Sequence, residues 1–365
     1  MKKIIAIFLF FVFALLVSCS SDGVKLSENY IEEFVIEDIS PIEINIKNNQ
    51  SLVYIWTEHS KYEALKGKIP RVDISERAGI SYGGDSSNWA EPGFKYIVTS
   101  ENGIPREYSV KIDTVVPRMY SFDVWSLSEG SSKYYLPSSL KWASGNAGIA
   151  LALGILGIDN KNPENYPTKK TGDGYKGNAV LMETLKGGNV FNRDIRIISG
   201  NFFLGKFNSA KAISDELAAT ELGYIYPVKP KSIRGFYKYE EGTGDFINEN
   251  GLKEPGRPDS CSMNTWFYQS DLPDGGDTTL TVKDIDIDEL NLVIAKASLF
   301  GCSATGGKFR EFKLEFKDYK KEPDFANHRY KLAVTFAASK YGDLYAGKIG
   351  SRLIVDEIEI EDYEE

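Results

Sequence analysis

Apolar and polar residues alternate with a period of two along most of this chain. That pattern is typical of β-strands that bury one face, and glycine, proline and asparagine separate the alternating segments. Residues 42–46 and 94–98 show it clearly, and Asn102-Gly103 predicts a hairpin turn that leads into residues 108–112. Because few segments have the longer period of an amphipathic helix, the sequence predicts an all-β protein.

The alternating pattern divides the chain into two β-sandwich domains. Six or so short strands over residues 27–113 fit an Ig-like sandwich. Pro117 ends the last of these strands and the pattern changes after it, so residues 114–118 are predicted to form a linker. Residues 119–365 contain eight or more strand-like segments joined by long loops, which predicts a jelly-roll or related sandwich. Within them, residues 146–158 are rich in alanine, leucine and glycine and predict a buried loop or short helix.

The first residues of the chain have the features of an export signal. Lysines at positions 2 and 3 precede an apolar segment, residues 4–17, which is too short to span a bilayer as a stable helix. An ordinary signal peptidase favours a small residue three positions before the cleavage site, whereas Leu16 occupies that position here. The motif formed by residues 16–19, Leu-Val-Ser-Cys, resembles the bacterial lipobox.

The lipobox resemblance implies that residues 1–18 are a lipoprotein signal peptide and that Cys19 carries the lipid. Several fatty chains anchor a protein firmly to a membrane, where a single chain binds only marginally. Residues 19–26 then form a polar tether. Serine rather than an acidic residue at position 20 implies the outer membrane in Gram-negative bacteria, with the leaflet left open. The alternative is an ordinary secretory signal with an incidental cysteine.

Composition and charge exclude several classes of function. The chain has a formal net charge of -9 and a pI near 5.1, without a basic cluster to neutralise phosphates, so nucleic acid is not an expected partner. The chain has two histidines, and its cysteine and histidine residues are not spaced as metal ligands are, so a zinc or iron site is not expected. Apart from Cys19, the chain has Cys261 and Cys302, which either form a disulfide in an oxidising compartment or are two buried thiols.

Five motifs follow one another in the second domain. They are Trp142-Ala143-Ser144-Gly145-Asn146, Gly200-Asn201-Phe202-Phe203-Leu204-Gly205, Gly235-Phe236-Tyr237-Lys238-Tyr239, Asp259-Ser260-Cys261 and Gly350-Ser351-Arg352-Leu353-Ile354-Val355-Asp356-Glu357. Together they resemble successive signatures of the PCMD family, the "putative carbohydrate metabolism domain". The resemblance covers nearly all of residues 119–365. It implies a galactose-binding-like or jelly-roll sandwich in a lipoprotein of carbohydrate-using bacteria.

Loops of the second domain contain the residue types that bind sugars. A pyranose ring needs a flat aromatic face, with amide, carboxylate or cationic groups around it to pair with the hydroxyls. The candidates for such a ligand site are Trp142, Asn146, Tyr134, Tyr135, Tyr237, Lys238, Tyr239 and Asp259. The alternative for each aromatic residue is packing in the core, because alternation places Tyr237 and Tyr239 on one side of a strand and Lys238 on the other.

The last predicted strand, residues 352–360, carries acidic residues on both faces. Regular pleating places Asp356 among isoleucines, and a carboxylate buried there needs a partner. We expect hydrogen-bond donors first and a structural calcium ion second, and no other cofactor. On the opposite face, Glu357 and Glu359 superficially resemble the acid pair of a jelly-roll glucanase. A charged last strand also prevents an exposed sheet edge from pairing with other chains. We favour this second explanation.

The sequence therefore predicts a glycan-binding lipoprotein of the outer membrane, with a role in carbohydrate metabolism. Its expected partners are a glycan or polysaccharide and, through the lipid, the membrane. The alternative is a glycoside hydrolase that uses paired carboxylates, either Asp259 with Glu183 or Glu357 with Glu359. A third interpretation is an adhesion or structural surface protein. Two carboxylates converging in an aromatic-lined cleft would favour hydrolysis, and an aromatic platform without them would favour binding.

Overall fold

The computed structural model describes residues 25–363, apart from residues 40, 42, 92, 116, 140, 191, 213, 214, 216 and 273–275. Strands dominate these residues and the helices are short, so the all-β prediction is confirmed. No helix in this described part of the chain has the length and apolar character needed to cross a membrane. The predicted signal peptide and Cys19 lie outside the described residues, so both the signal peptide and the lipidation stay predictions.

The chain divides into two compact units. The first consists mainly of residues up to 111, and the second of the residues from 112 onward together with residues 41–43 and 56–63. Up to residue 115 the elements are β1 (Ile31–Val35), β2 (Glu43–Lys47), β3 (Leu52–Glu58), α1 (His59–Lys66), β4 (Arg71–Ile74), β5 (Gly79–Tyr82), β6 (Lys95–Thr99) and β7 (Pro105–Val115), with 3-10 turns at Asn48–Gln50 and Ser86–Asn88.

The strands up to residue 115 form a five-stranded sheet and a separate pair. The sheet has the order β2-β3-β7-β6-β5, and β1 pairs antiparallel with β4. Within the first unit, the ring of Phe34 lies 5.6 Å from Tyr96 and 5.7 Å from the buried Trp89. The Ig-like assignment and the domain bounds stay predictions, and β7 continues to Val115, inside the predicted linker.

The second unit contains the remaining strands and two helices. The strands are β8 (Met119–Tyr120), β9 (Trp125–Leu127), β10 (Tyr135–Pro137), β11 (Trp142–Ala143), β12 (Thr168–Thr171), β13 (Ala179–Val190), β14 (Arg193–Ser199), β15 (Asn201–Phe207), β16 (Thr220–Leu222), β17 (Tyr224–Ile225), β18 (Pro230–Glu240), β19 (Phe246–Ile247), β20 (Lys253–Glu254), β21 (Cys261–Gln269), β22 (Val293–Cys302), β23 (Arg310–Glu315), β24 (Tyr330–Ala337) and β25 (Arg352–Asp362). The helices are α2 (Asn146–Ile155) and α3 (Val282–Ile285), with 3-10 turns at Pro163–Asn165 and Gly342–Leu344. The segment predicted as a buried loop or short helix forms α2.

Two seven-stranded sheets form the sandwich of the second unit. Sheet I has the order β12-β13-β25-β18-β23, with β14 beside β13 and β8 beside β25. Sheet II has the order β11-β15-β24-β21-β22, with β16 beside β15 and β17 beside β24. The order β13-β25-β18-β23 against β15-β24-β21-β22, with antiparallel neighbours, is that of an eight-stranded jelly roll. The jelly-roll prediction is therefore confirmed.

The main core fills the space between sheets I and II. Inward residues of sheet I, such as Val180 and Val355, belong to the same buried cluster as inward residues of sheet II, such as Phe202 and Phe336. Burial of apolar surface stabilises a fold by about 25 cal/mol per Å². A core this rich in large aromatic and aliphatic side chains is therefore the main source of stability for the sandwich.

Strand β25 differs from its prediction in two ways. It is not an edge strand, because β13 and β18 flank it in sheet I. The prediction of an exposed last strand was therefore wrong. The pleat also breaks at Glu357, whose φ of 51° accompanies a β-bulge opposite Gly235. Val355 before the bulge and Ile358 after it both belong to the core, so Asp356 lies on the outer face rather than among core isoleucines.

Candidate functional site

Five of the eight predicted ligand-binding residues are buried, Asp259 among them, and this burial does not fit an exposed platform. Trp142 is 3% exposed and stacks on Phe202, with ring centroids 5.0 Å apart. Tyr237 and Tyr239 both face the core, as the alternation along their strand indicated. Asn146 is 0% exposed, and its Nδ2 donates to a backbone carbonyl at 2.6 Å. A dissolved glycan cannot reach these side chains, so they support the fold.

Tyr134, Tyr135 and Lys238 are partly accessible, and each has its own partner. Tyr134 packs on the buried ring of Tyr166 with centroids 5.4 Å apart. The hydroxyl of Tyr135 donates to Glu164 Oε1 at 2.9 Å. Lys238 forms an ion pair on the outer face of sheet I. These separate roles do not add up to the common sugar platform that the sequence suggested.

Asp259 is the centre of a buried hydrogen-bond network. Its Oδ2 accepts from the hydroxyls of Ser339 at 2.7 Å and Ser351 at 2.8 Å, and from the backbone N–H of Lys348 at 2.9 Å. Its Oδ1 accepts from the backbone N–H of Ser260 at 2.8 Å. A carboxylate engaged in this way joins three separate segments and is not available to a substrate. These contacts favour a structural role for Asp259, and the ligand-binding or catalytic role stays a prediction.

Glu183 is held by two cations on the outer face of sheet I. Arg352 donates to Glu183 Oε1 from Nε at 3.0 Å and from Nη2 at 2.8 Å, and Lys169 Nζ lies 3.1 Å from Oε2. Burial works to raise the pKa of Glu183, but these donors outweigh it and lower the pKa. An acid kept ionised cannot deliver a proton. The predicted pairing of Asp259 with Glu183 as catalytic groups is therefore not supported.

Asp356 is fully buried, and backbone N–H groups surround its carboxylate. Oδ2 accepts from Lys176 N and Oδ1 from Glu357 N, both at 2.9 Å. Burial raises the pKa of Asp356 to about 6, although these N–H groups oppose the shift. This is the hydrogen-bonded arrangement that the sequence favoured. Among the described residues, no group of three or more His, Cys, Asp or Glu side chains could hold a metal ion.

The acidic residues of β25 pair with cations of sheet I and its adjoining loop. Glu357 lies 2.9 Å from Lys176 Nζ, and Glu359 lies 2.6 Å from Arg234 Nη2. Solvent screens ion pairs with an exposed cation, so each of these pairs contributes little to stability. Neutralisation by neighbouring strands, rather than protection of an edge, accounts for acids on a central strand. With each acid paired to its own cation, these residues do not form a catalytic pair.

Cys261 and Cys302 are buried and unbonded, directly opposite each other in β21 and β22. Burial raises the pKa of the Cys261 thiol, which keeps it protonated. The sequence left open a disulfide or two buried thiols, and in the structure the two cysteines are buried thiols.

A cleft of about 430 Å³ lies on the outer face of sheet II. Phe203, Thr335 and Asn264 are adjacent across β15, β24 and β21 and form part of its floor. Trp266 follows Asn264 on the same face of β21, because two residues separate equivalent positions of a strand. Helix α2, strand β14, helix α3 and the turn after β24 form the walls.

An apolar cluster holds α3 against the floor of the cleft. Trp266 packs there with Leu280, which lies two residues before the helix, and with Ile285, the last residue of the helix. A capping box fixes the start of α3: Thr281 N donates to Asp284 Oδ2 at 3.4 Å, and the Thr281 hydroxyl donates to the same oxygen at 2.7 Å. Packing and capping together give this wall of the cleft a defined position.

The cleft combines apolar walls with polar groups at particular places. The amide of Asn264 and the hydroxyl of Thr335 lie on the floor, and charged side chains line the more exposed positions. The charged residues are Arg193, Lys340, Asp286 and Asp343. A mainly apolar cavity of this size with a few converging polar groups is typical of sites for small ligands or single units of a polymer.

Sequence reasoning did not identify the residues of this cleft. They come from segments far apart in the chain, and most of them have no unusual local pattern. One signal was present, since the small apolar residues of 146–158 form α2, a wall of the cleft. That segment was predicted correctly as structure but not connected with a site.

The fold and the cleft together define a jelly-roll β-sandwich protein with a ligand-sized cleft on the outer face of one sheet. The chain belongs to the PCMD family, described as "Putative carbohydrate metabolism domain", whose sequence model matches residues 117–361. The resemblance seen in the five motifs is thereby confirmed. The protein therefore contains a carbohydrate-related domain.

Two solved structures are similar to this chain. One, from Bacteroides thetaiotaomicron VPI-5482, is described as a "putative glycoside hydrolase"; it is 24% identical, with a TM-score of 0.60, and the match covers 94% of this chain and 99% of that one. The other, from Bacteroides vulgatus ATCC 8482, has the same description; it is 28% identical, with a TM-score of 0.59, and the match covers 68% of this chain and 98% of that one. No curated protein matches the chain.

Proposed function

We propose that this protein is a lipoprotein of the outer membrane that binds a glycan in the cleft on sheet II. The observation that carries the proposal is the cleft itself, in a domain of a carbohydrate-metabolism family. The descriptions of two similar structures as glycoside hydrolases support a carbohydrate ligand. Trp142, Tyr237 and Tyr239 are buried, and Tyr134 and Tyr135 have separate partners, so we place the proposed binding site in this cleft rather than on the predicted platform.

The chemistry of the cleft suits a sugar ring. Trp266 and Phe203 are buried and make the floor apolar from beneath, while the partly accessible ring of Phe207 lines the cleft and offers a surface on which a pyranose can pack its apolar face. Asn264 and Thr335 offer an amide and a hydroxyl beside that floor, and these groups donate and accept hydrogen bonds as sugar hydroxyls do. A ligand that enters the cleft therefore finds both requirements within one site.

A binding assay with one variant and one matched control tests the proposed site. The full-length protein is screened on a glycan array, and the affinity for each ligand found is measured by calorimetry. Asn264→Ala removes the floor amide, and we expect about 5- to 30-fold weaker binding, since a lost hydrogen bond costs on the order of 1–2 kcal/mol. Glu311→Ala changes an exposed residue on β23 of sheet I and leaves the affinity unchanged. Absence of glycan binding, or equal affinities of both variants, overturns the proposal.

The anchor is tested separately at Cys19. The proposal expects cells that express the full-length chain to incorporate a labelled fatty acid into it and to retain it in the outer-membrane fraction. Cys19→Ser abolishes both the label and the retention. A wild-type chain without label, or one released into the periplasm, contradicts the lipoprotein assignment and leaves the glycan-binding proposal to stand on the array result.

A further inference from the structure

Two carboxylates from separate segments line the same cleft. Asp343 lies in the 3-10 turn Gly342–Leu344 after β24, and Asp286 directly follows α3. The charge of Asp286 is the smallest of the causes that raise the pKa of Asp343. The fold therefore brings two acids together in a ligand-sized cavity although 56 residues separate them in the sequence.

The environment of Asp343 suits a group that carries a proton. Asp343 is an exposed residue of the cleft lining, where neighbouring protein atoms exclude part of the water around its carboxyl group. This burial raises the pKa of Asp343, the negative charge of Asp286 adds to the shift, and the backbone N–H groups of Asp343 and Leu344 offset only part of it. Acid and base catalysis usually involves two carboxyl groups in different environments, one of which has the higher pKa and acts as the acid.

The carboxylates predicted from the sequence have other partners. Glu183 and Glu359 are paired with arginines, and Asp259 accepts hydrogen bonds from hydroxyl and backbone donors. Asp356 has a raised pKa of about 6, but it is wholly buried and cannot touch a ligand. Among the acids discussed, Asp343 and Asp286 are the pair that borders the cleft.

The turn that carries Asp343 is fixed by hydrogen bonds. Gly342 N donates to Ser339 O at 3.0 Å, and Tyr345 N donates back to Gly342 O at 3.1 Å. From β14, Arg196 Nη2 donates to Leu344 O at 3.0 Å. A catalytic group must be held in place to be effective, and this turn has a defined conformation on both sides of Asp343.

We propose that Asp343 and Asp286 hydrolyse a glycosidic bond of the glycan in the cleft. The Asp343 carboxylic acid donates its proton to the glycosidic oxygen as the bond from that oxygen to the anomeric carbon breaks. A water molecule forms the new bond to the anomeric carbon, and the Asp286 carboxylate accepts the proton that this water loses. One water is consumed and two sugar hydroxyls are formed, and return of the proton from Asp286 to Asp343 through solvent completes the cycle.

This inference rests on the proposed function, because only a glycan that is bound in the cleft can be hydrolysed there.

The inference also predicts how activity depends on pH. The charged groups around Asp343 are Asp286 after α3, Arg193 and Arg196 on β14, and Lys340 at the start of its own turn. Activity is expected to fall as the pH rises through the raised pKa of Asp343, because the acid then loses its proton.

The experiment measures glycan binding and reducing-sugar release on the same protein. Full-length protein is incubated with soluble xylan, mixed-linkage β-glucan, galactomannan and mucin glycans, and products are quantified. Asp343→Asn and Asp286→Asn are compared with Glu289→Gln, an exposed acid three residues beyond Asp286. We expect a loss of at least about 100-fold in rate for both cleft variants, with glycan affinity retained, and no change for Glu289→Gln.

Two further readouts separate catalysis from structure. Asp343→Asn removes the fall in activity at high pH, whereas a residue with only a structural role leaves the profile unchanged. Sodium azide partly restores the rate of Asp286→Ala, because azide attacks without needing a base and yields a glycosyl azide.

The outcomes distinguish the two proposals. Binding of a panel glycan without any sugar release overturns the hydrolytic inference and leaves glycan binding in place. Binding of none of the panel overturns the proposed function and the inference with it. Wild-type rates in Asp343→Asn or Asp286→Asn overturn the assignment of these residues.

Discussion

Replacement of Asp259 tests whether this residue holds the fold together or serves a ligand. In Asp259→Asn the amide has one oxygen and one NH₂ group where the carboxylate had two oxygens. Backbone N–H groups approach both positions, from Ser260 at Oδ1 and from Lys348 at Oδ2. Whichever way the amide lies, its NH₂ group faces one of these donors and leaves it without an acceptor.

The size of the effect follows from the number of donors left without an acceptor. A buried donor without a partner costs about 1–3 kcal/mol. Asp259→Asn leaves one fixed N–H unsatisfied, so we expect a loss of about 1–3 kcal/mol in the free energy of unfolding. Asp259→Ala leaves two, which gives about 2–6 kcal/mol. The hydroxyls of Ser339 and Ser351 can rotate toward other acceptors, and Ser339 already contacts Thr184 Oγ1 at 2.7 Å.

Equilibrium urea unfolding of the full-length protein measures this loss, with the slope of the transition checked for each variant. Asp245→Asn, an exposed acid in the loop after β18, is the control and changes stability by less than about 0.5 kcal/mol. The reasoning is refuted if Asp259→Asn unfolds at the wild-type urea concentration. If Asp259→Asn is as stable as the wild type but no longer binds glycan, Asp259 is a ligand-binding residue.

Three other predictions concern packing, thiol chemistry and pH. Gly200→Ala places a Cβ 2.5 Å from a backbone carbonyl oxygen and lowers the thermal unfolding temperature by several degrees or more, whereas Gly244→Ala, with open space around it, leaves that temperature nearly unchanged. Cys261 and Cys302 resist iodoacetamide in the native protein and react in guanidinium chloride, as mass spectrometry of the alkylated peptides will show; rapid native labelling contradicts their burial. Because the folded-state pKa of Glu183 is lowered, its stabilising contribution is present above the unfolded pKa of 4.5 and is lost as the pH falls through the folded pKa. Glu183→Gln therefore loses less stability than the wild type on acidification from neutral pH, and equal losses in urea titrations contradict the ion-pair assignment.

The alternation of residues predicted the class of fold well because it reports a local property. Tyr237 and Tyr239 face the core and Lys238 does not, as period-two spacing requires. The same rule failed at β25, where the bulge at Glu357 shifts the pleat by one residue. A bulge depends on the partner strand, in this case on Gly235, which the local pattern of β25 does not contain.

The sequence alone determined the all-β class, the jelly-roll architecture of the second domain and the membership of its family. These follow from spacing and from motifs that are contiguous in the chain. Only the tertiary structure decided which side chains are available for chemistry. Trp142 and Asp259 are of the types that bind sugars, but packing and hydrogen bonding use them inside the protein. Asp343 and Asp286 were not predicted as site residues, yet both line the cleft, because proximity between distant segments is set by the order of strands in the sheets.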